Sequence, residues 1–196
     1  TRTILILALA PAVGLGIARF AYALVLPDMR ASLGWTYAEA GFMNTANAAG
    51  YLLGALAAPR AAGLLGPSRA VRTGTAVCVA SLALSAVTAD FALLTMARIL
   101  AGTGAAVAFV AGGALAAGLA QQRPERSGLL LGLFYAGPGL GIALSGILTP
   151  FVLDGFGPGS WWVAWAILAA VSAPLALALR FAPAVSPPSR QAGRAG

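Results

Sequence analysis

Six stretches of this chain are apolar for about as long as a helix needs to cross a bilayer, roughly 20 residues. They are residues 4–26, 40–58, 71–89, 91–120, 129–153 and 161–181. Lipid offers no hydrogen bonds to an open backbone, so spans of this kind fold as helices. The expected fold is therefore an all-α membrane protein, with six transmembrane helices in one domain over residues 1–181. Charge supports this: twelve arginines and five acids among 196 residues fall far below the ~25% charged residues of a soluble domain. Too little polar surface remains to face water, and a disordered chain needs the opposite balance.

The breaks between spans carry turn and cap chemistry. Pro27-Asp28 is expected to end the first span, and residues 63–68, with Gly and Pro, separate the second from the third. Asp90 is a tight break, residues 121–127 are polar, and Asp154-Gly155-Phe156-Gly157-Pro158-Gly159 is a turn. Thr36-Tyr37-Ala38-Glu39 reads as a capping box ahead of an apolar run; Asp28 and Asp154 read as solvated loop residues. A signal peptide at the start fits poorly, because the run before Ala8-Leu9-Ala10 is short and apolar sequence continues past it. Residues 182–196, with Pro183, Pro187, Pro188 and scattered Arg, read as a flexible cytoplasmic tail or linker. A first residue of Thr1 reads as a processed, trimmed or fragmentary chain.

With the N-terminus in the cytoplasm, Arg2, Arg60, Arg69, Arg72, Arg123, Arg126, Arg180, Arg190 and Arg194 share one side, and only Arg30 lies on the other. Nine against one is a positive-inside pattern. It places the chain in a plasma membrane (a bacterial inner membrane) with both termini cytoplasmic. The basic charge is then topology, and no nucleic-acid partner is expected. Trp35, Trp161 and Trp162 fall at the outer boundary, as an aromatic belt would.

Two arginines remain inside spans, Arg19 and Arg98, each roughly 11 Å below the outer boundary at 1.5 Å per residue. Arginine at a span centre costs about 2.5–3.5 kcal/mol on insertion scales, and no acid lies in the membrane core beside either. They either snorkel toward headgroups or face a water-filled cavity and present charge to a solute. Tyr22 shares a helical face with Arg19. Asn44, Asn47 and Tyr51 form one polar stripe, read equally as interhelical hydrogen bonding or cavity lining. Ala46, Gly50 and Gly54 form a packing seam beside it.

The fifth span places Gly137, Gly141 and Ser145 on one face, where another backbone can come close, and Pro138 should bend it. Tight packing and a flexing seam are compatible readings. The chain has no His and one cysteine, Cys78, so His-based catalysis, intramembrane serine proteolysis and clustered metal ligation have no residues to use. No catalytic residue, metal or cofactor is expected.

These residues resemble the N-terminal six-helix half of a major facilitator superfamily (MFS) transporter. Arg98-Ile99-Leu100-Ala101-Gly102-Thr103-Gly104-Ala105-Ala106 resembles the fourth-helix motif, and Gly137-Pro138-Gly139-Leu140-Gly141 the fifth-helix Gly-Pro motif. Gly50-Tyr51-Leu52-Leu53-Gly54-Ala55, running into Arg60, Arg69 and Arg72, resembles the second helix and its basic loop. Ala58-Pro59-Arg60 lacks the usual acid there, so charge-relay gating is not carried over. Gly16-Ile17-Ala18-Arg19-Phe20-Ala21-Tyr22, and Phe134-Tyr135-Ala136-Gly137 through Ser145-Gly146, resemble the YbfB/YjiJ-type members.

The resemblance implies two inverted three-helix repeats and a pathway lined by the first and fourth helices. Arg19, Tyr22, Asn44, Asn47, Tyr51, Arg98 and Tyr135 are then the solute-binding or pathway-lining candidates. Gly50, Gly54, Gly102, Gly137, Pro138, Gly141 and Ser145 are the packing or gating ones. The expected function is alternating-access secondary transport of a small solute, proton-coupled by resemblance, with an anionic solute suggested by the two arginines. A missing second six-helix half or a partner copy would complete it. The alternative is a non-transporting membrane interaction subunit or scaffold.

Overall fold

Each apolar stretch becomes one long helix in the computed structural model, which describes residues 1–182. The helices are α1 (Arg2–Leu33), α2 (Tyr37–Leu65), α3 (Pro67–Val87), α4 (Phe91–Gln121), α5 (Pro124–Phe156) and α6 (Trp161–Phe181). The expected tail falls, from residue 183 onward, outside the described residues.

Three helices run past their expected ends, α5 among them: it takes in Asp154, read above as a loop residue, and stops at Phe156. α1 continues through Pro27-Asp28 to Leu33, and α2 through Pro59 to Leu65. Both prolines sit on exposed positions, so the carbonyl each leaves without a donor faces outward rather than into packed protein. The turn between α2 and α3 shrinks to Gly66, at φ +83, where a side chain would be strained. Pro67 follows at the first position of α3, where a missing N–H costs nothing. α1 changes to π-helical winding over Ala12–Arg19 before resuming as an α-helix at Ala21. α5 is interrupted at Ala136, just ahead of Gly137-Pro138.

The packing is that of two inverted triplets. α2 lies against α4, α5 against α1, and α3 against α6; α3 also packs extensively on α4, and α6 more lightly on α1. Exchanging α1 with α4, α2 with α5 and α3 with α6 maps each pair onto another, or onto itself. The α2–α4 and α1–α5 pairs meet at glycines, as close helix approach in lipid requires. In the first, a Cβ on Gly50 or Gly54 would meet the carbonyls of Ile99 and Thr103, and one on Gly102 the Asn47 carbonyl and, at 2.7 Å, Tyr51 N. In the second, a Cβ on Gly137 would meet the Ala8 carbonyl, and one on Gly141 the Ala12 carbonyl and, at 2.8 Å, Gly16 Cα. A Cβ on Gly16 would in turn meet the Pro138 carbonyl at 2.6 Å. Ser145, one turn on, is buried and donates to the Ile142 carbonyl at 3.1 Å.

Two helix starts carry a side-chain cap from their own N-cap residue. Thr36 Oγ1 accepts from Glu39 N at 3.2 Å, and Glu39 Oε2 accepts from Thr36 N at 2.8 Å, a full capping box. Asp90 Oδ1 accepts from Leu93 N at 2.8 Å. Two expectations are corrected. Trp35 and Trp161 are buried rather than forming a belt; Trp35 packs edge-to-face on Phe91 at 5.6 Å, and only Trp162 is half exposed. Asp28 is not a solvated loop residue: its carboxylate accepts from Gly159 N and Trp161 N, both at 2.8 Å.

Asp28 thus caps α6 from α1, where the positive end of the α6 dipole favours an anion. Asp28→Ala should destabilise the bundle by about 1–2 kcal/mol, the range for a lost cap. Equilibrium unfolding in detergent measures it, and an unchanged variant would show that the cap contributes nothing.

Candidate functional site

The π-helical stretch of α1 ends at Arg19. Insertions of this kind rotate the residues that follow relative to an unbroken α-helix and often mark functional positions. From there the next turns of α1 and the first turns of α2 enclose a recess of ≈ 380 Å³, lined by Arg19, Phe20, Tyr22 and Leu26 of α1 and Asn44 of α2 among others. Arg19 is half-buried, and its guanidinium carbon stands 5.0 Å from the ring centroid of Tyr51. A cation over a tyrosine face is held electrostatically, by about 0.5–1 kcal/mol where water reaches it. Tyr22 forms the closed side of the recess: its hydroxyl donates to the Ala40 carbonyl at 2.8 Å, tying α1 to α2. Asn44 is exposed, so its amide is open to solvent. Among the described residues, no carboxylate lines the recess.

Arg98 lies elsewhere. It is only 2% exposed, behind Tyr22 and inside the bundle. One terminal nitrogen donates to the Ala18 carbonyl at 3.1 Å and the other to Ser85 Oγ at 3.3 Å. Its guanidinium carbon stands 4.6 Å from the Trp165 ring centroid and 5.7 Å from that of Tyr22. With no carboxylate among these partners, a carbonyl dipole, a hydroxyl and two π faces replace its water. Desolvated contacts to π faces reach about 2 kcal/mol or more. Ala18 lies within the π-helical stretch, so Arg98 braces the segment that delivers Arg19.

Arg19, Tyr22 and Asn44 therefore line one recess; Tyr51 contacts Arg19 from outside that lining, and Arg98 lies behind Tyr22. Asn47 separates from Asn44: it is buried, and its Nδ2 donates to the Arg98 carbonyl at 2.9 Å across the α2–α4 seam. Its Oδ1 is a buried acceptor without a partner. Tyr135 is on α5, half exposed, edge-to-face with Phe109 at 5.8 Å and Phe134 at 5.3 Å, and does not line the recess. Ser85 and Trp165, which hold Arg98, carried no sequence signal of that role. Gly16 had one, since it sits in the same glycine-containing stretch as Arg19.

A family model described as "Uncharacterised MFS-type transporter YbfB" matches residues 11–196. The chain belongs to this MFS-type transporter family. No curated protein gives a significant match. The six membrane-length helices and the family together make this MFS-type chain an integral membrane protein of a transporter class.

Proposed function

We propose that this MFS-type chain is one six-helix half of a secondary active transporter whose small solute carries an anionic group. The observation that carries this is the recess between α1 and α2, which holds a partly exposed guanidinium, an open amide and, among the described residues, no carboxylate. Arg19 is the charge that meets the solute, Asn44 supplies hydrogen bonds, and Tyr51 and Tyr22 hold the guanidinium and close the wall. Arg98 adds positive potential from behind Tyr22. Transporters of this class expose a midplane site alternately to either side, and the glycine seams α2–α4 and α1–α5 provide surfaces on which helices can shift.

The second half, or a second copy of the chain, packs against the flanks of α2 and α5. Leu52, Leu53 and Leu56 of α2 and Ile147 and Phe151 of α5 are all exposed there. Family resemblance favours a proton as the coupling ion, with its carrier outside the recess. The arginine distribution favours the inner membrane with cytoplasmic termini.

The test is made in the complete transporter reconstituted into proteoliposomes. Arg19→Ala should raise KM for an anionic solute by about 10–100-fold, the worth of a charged hydrogen bond, and Arg19→Lys should recover part of it. Unchanged transport of every accepted solute in Arg19→Ala would reject the anionic reading.

A further inference from the structure

A second cavity lies between α3 and α6 and shares no lining residue with the recess at Arg19. It is a groove of ≈ 690 Å³ walled by small side chains, Ala76, Ala80 and Ala83 from α3 and Ala173 and Ala176 from α6, with Arg72 and Arg180 also lining it. Arg72 lies near the start of α3 and Arg180 near the end of α6. In antiparallel neighbours these are the same end of the bundle, so both cations stand at one mouth of the groove. That end also carries Arg2, Arg60, Arg69, Arg123 and Arg126. Arg72 Nε donates to the Ser68 carbonyl at 3.3 Å. The terminal nitrogens take no part in that bond.

The dimensions match one leaflet. From Arg72 to Ala83 the α3 wall runs about 16 Å at 1.5 Å per residue, close to half of the ~30 Å hydrocarbon core. Paired arginines at headgroup level above an apolar trough of leaflet depth are complementary to a phosphate with an acyl chain beneath it. Basic pockets between transmembrane helices recognise lipid headgroups through this pairing. Among the described residues, no carboxylate lines the groove to compete for the arginines.

We infer that the α3–α6 groove is a binding site for an anionic glycerophospholipid, its phosphate held by Arg72 and Arg180 and one acyl chain lying along the alanine walls. The site is independent of the solute pathway and stands whether or not the transport reading does.

Native mass spectrometry of the full chain in detergent, titrated with dioleoyl phosphatidylglycerol or dioleoyl phosphatidylcholine, tests it. Phosphatidylglycerol should bind at least about tenfold more tightly than phosphatidylcholine. Arg72→Gln and Arg180→Gln should each weaken it roughly fivefold, the effect of one basic residue at an anionic headgroup. Ala83→Phe, which fills the trough, should weaken it while both arginines remain. Arg69→Gln, an exposed cation at the same end that does not line the groove, should leave it unchanged. Equal binding of the two lipids, or undiminished phosphatidylglycerol binding in the folded double glutamine variant, overturns the proposal. So does displacement of the lipid by glycerol 3-phosphate, which would mark a site for a free phosphate instead.

Discussion

Gly141→Ala is expected to destabilise the bundle by about 3 kcal/mol or more, at or beyond the upper end of the usual overpacking range. The added methyl would meet the Ala12 carbonyl and Gly16 Cα of α1. Both are backbone, so no side chain can rotate away, and α5 must separate from the π-helical stretch of α1 along the seam. Gly139→Ala is the control: a Cβ there has nothing within 4 Å. It should be neutral or gain a few tenths of a kcal/mol, since alanine has up to about 1 kcal/mol better helix propensity than glycine. Equilibrium unfolding and monodispersity in detergent report both. Two variants of equal stability would show that α1 and α5 do not meet as described.

Arg98→Ala should cost about 3–5 kcal/mol. It removes a large buried side chain and takes a donor from the Ala18 carbonyl; Ser85 Oγ loses one bond but still donates to the Ser81 carbonyl at 2.8 Å. Arg98→Met fills most of the same volume without the charge. It withdraws the same donors from Ala18 and Ser85 but leaves no cavity, so it should cost about 1–3 kcal/mol, the desolvation share alone, and less than Arg98→Ala. The pair separates packing from charge. Transport lost in a stable Arg98→Met protein would assign the missing function to the positive potential behind Tyr22. If Arg98→Ala were as stable as the parent, Arg98 would not be enclosed by Ser85, Trp165 and Ala18.

Legibility followed sequence distance. The six spans and the Thr36–Glu39 capping box depend on residues close together in the chain, so hydrophobic runs and cap spacing revealed them. One proline misled: Pro27 suggested a helix end, yet it lies on an exposed face where a helix tolerates it. Asp28 looked like a loop acid because its partners, Gly159 and Trp161, lie at the far end of the chain. The Asn44–Asn47–Tyr51 stripe was real as a helical face but too wide to say what each residue meets. Asn47 stands three and seven residues before Gly50 and Gly54, and so shares their seam against α4. That spacing was the unused signal that Asn47 packs while Asn44 opens outward. The enclosure of Arg98 depends on residues from α1, α3 and α6, which no pattern within α4 encodes.

A charge-selective labelling rate at position 44 tests the central claim, that the recess is hydrated and held positive by Arg19. Asn44→Cys introduces a thiol at an exposed recess residue, while the native Cys78 is fully buried and silent. The variant is reconstituted and treated with membrane-impermeant thiosulfonates, one carrying a sulfonate and one a trimethylammonium group. Relative to their rates with a free thiol in solution, the sulfonate should react several-fold faster at the introduced thiol, and the preference should vanish when Arg19 is also replaced by Ala. No labelling by either reagent, or a preference indifferent to Arg19, would contradict the account.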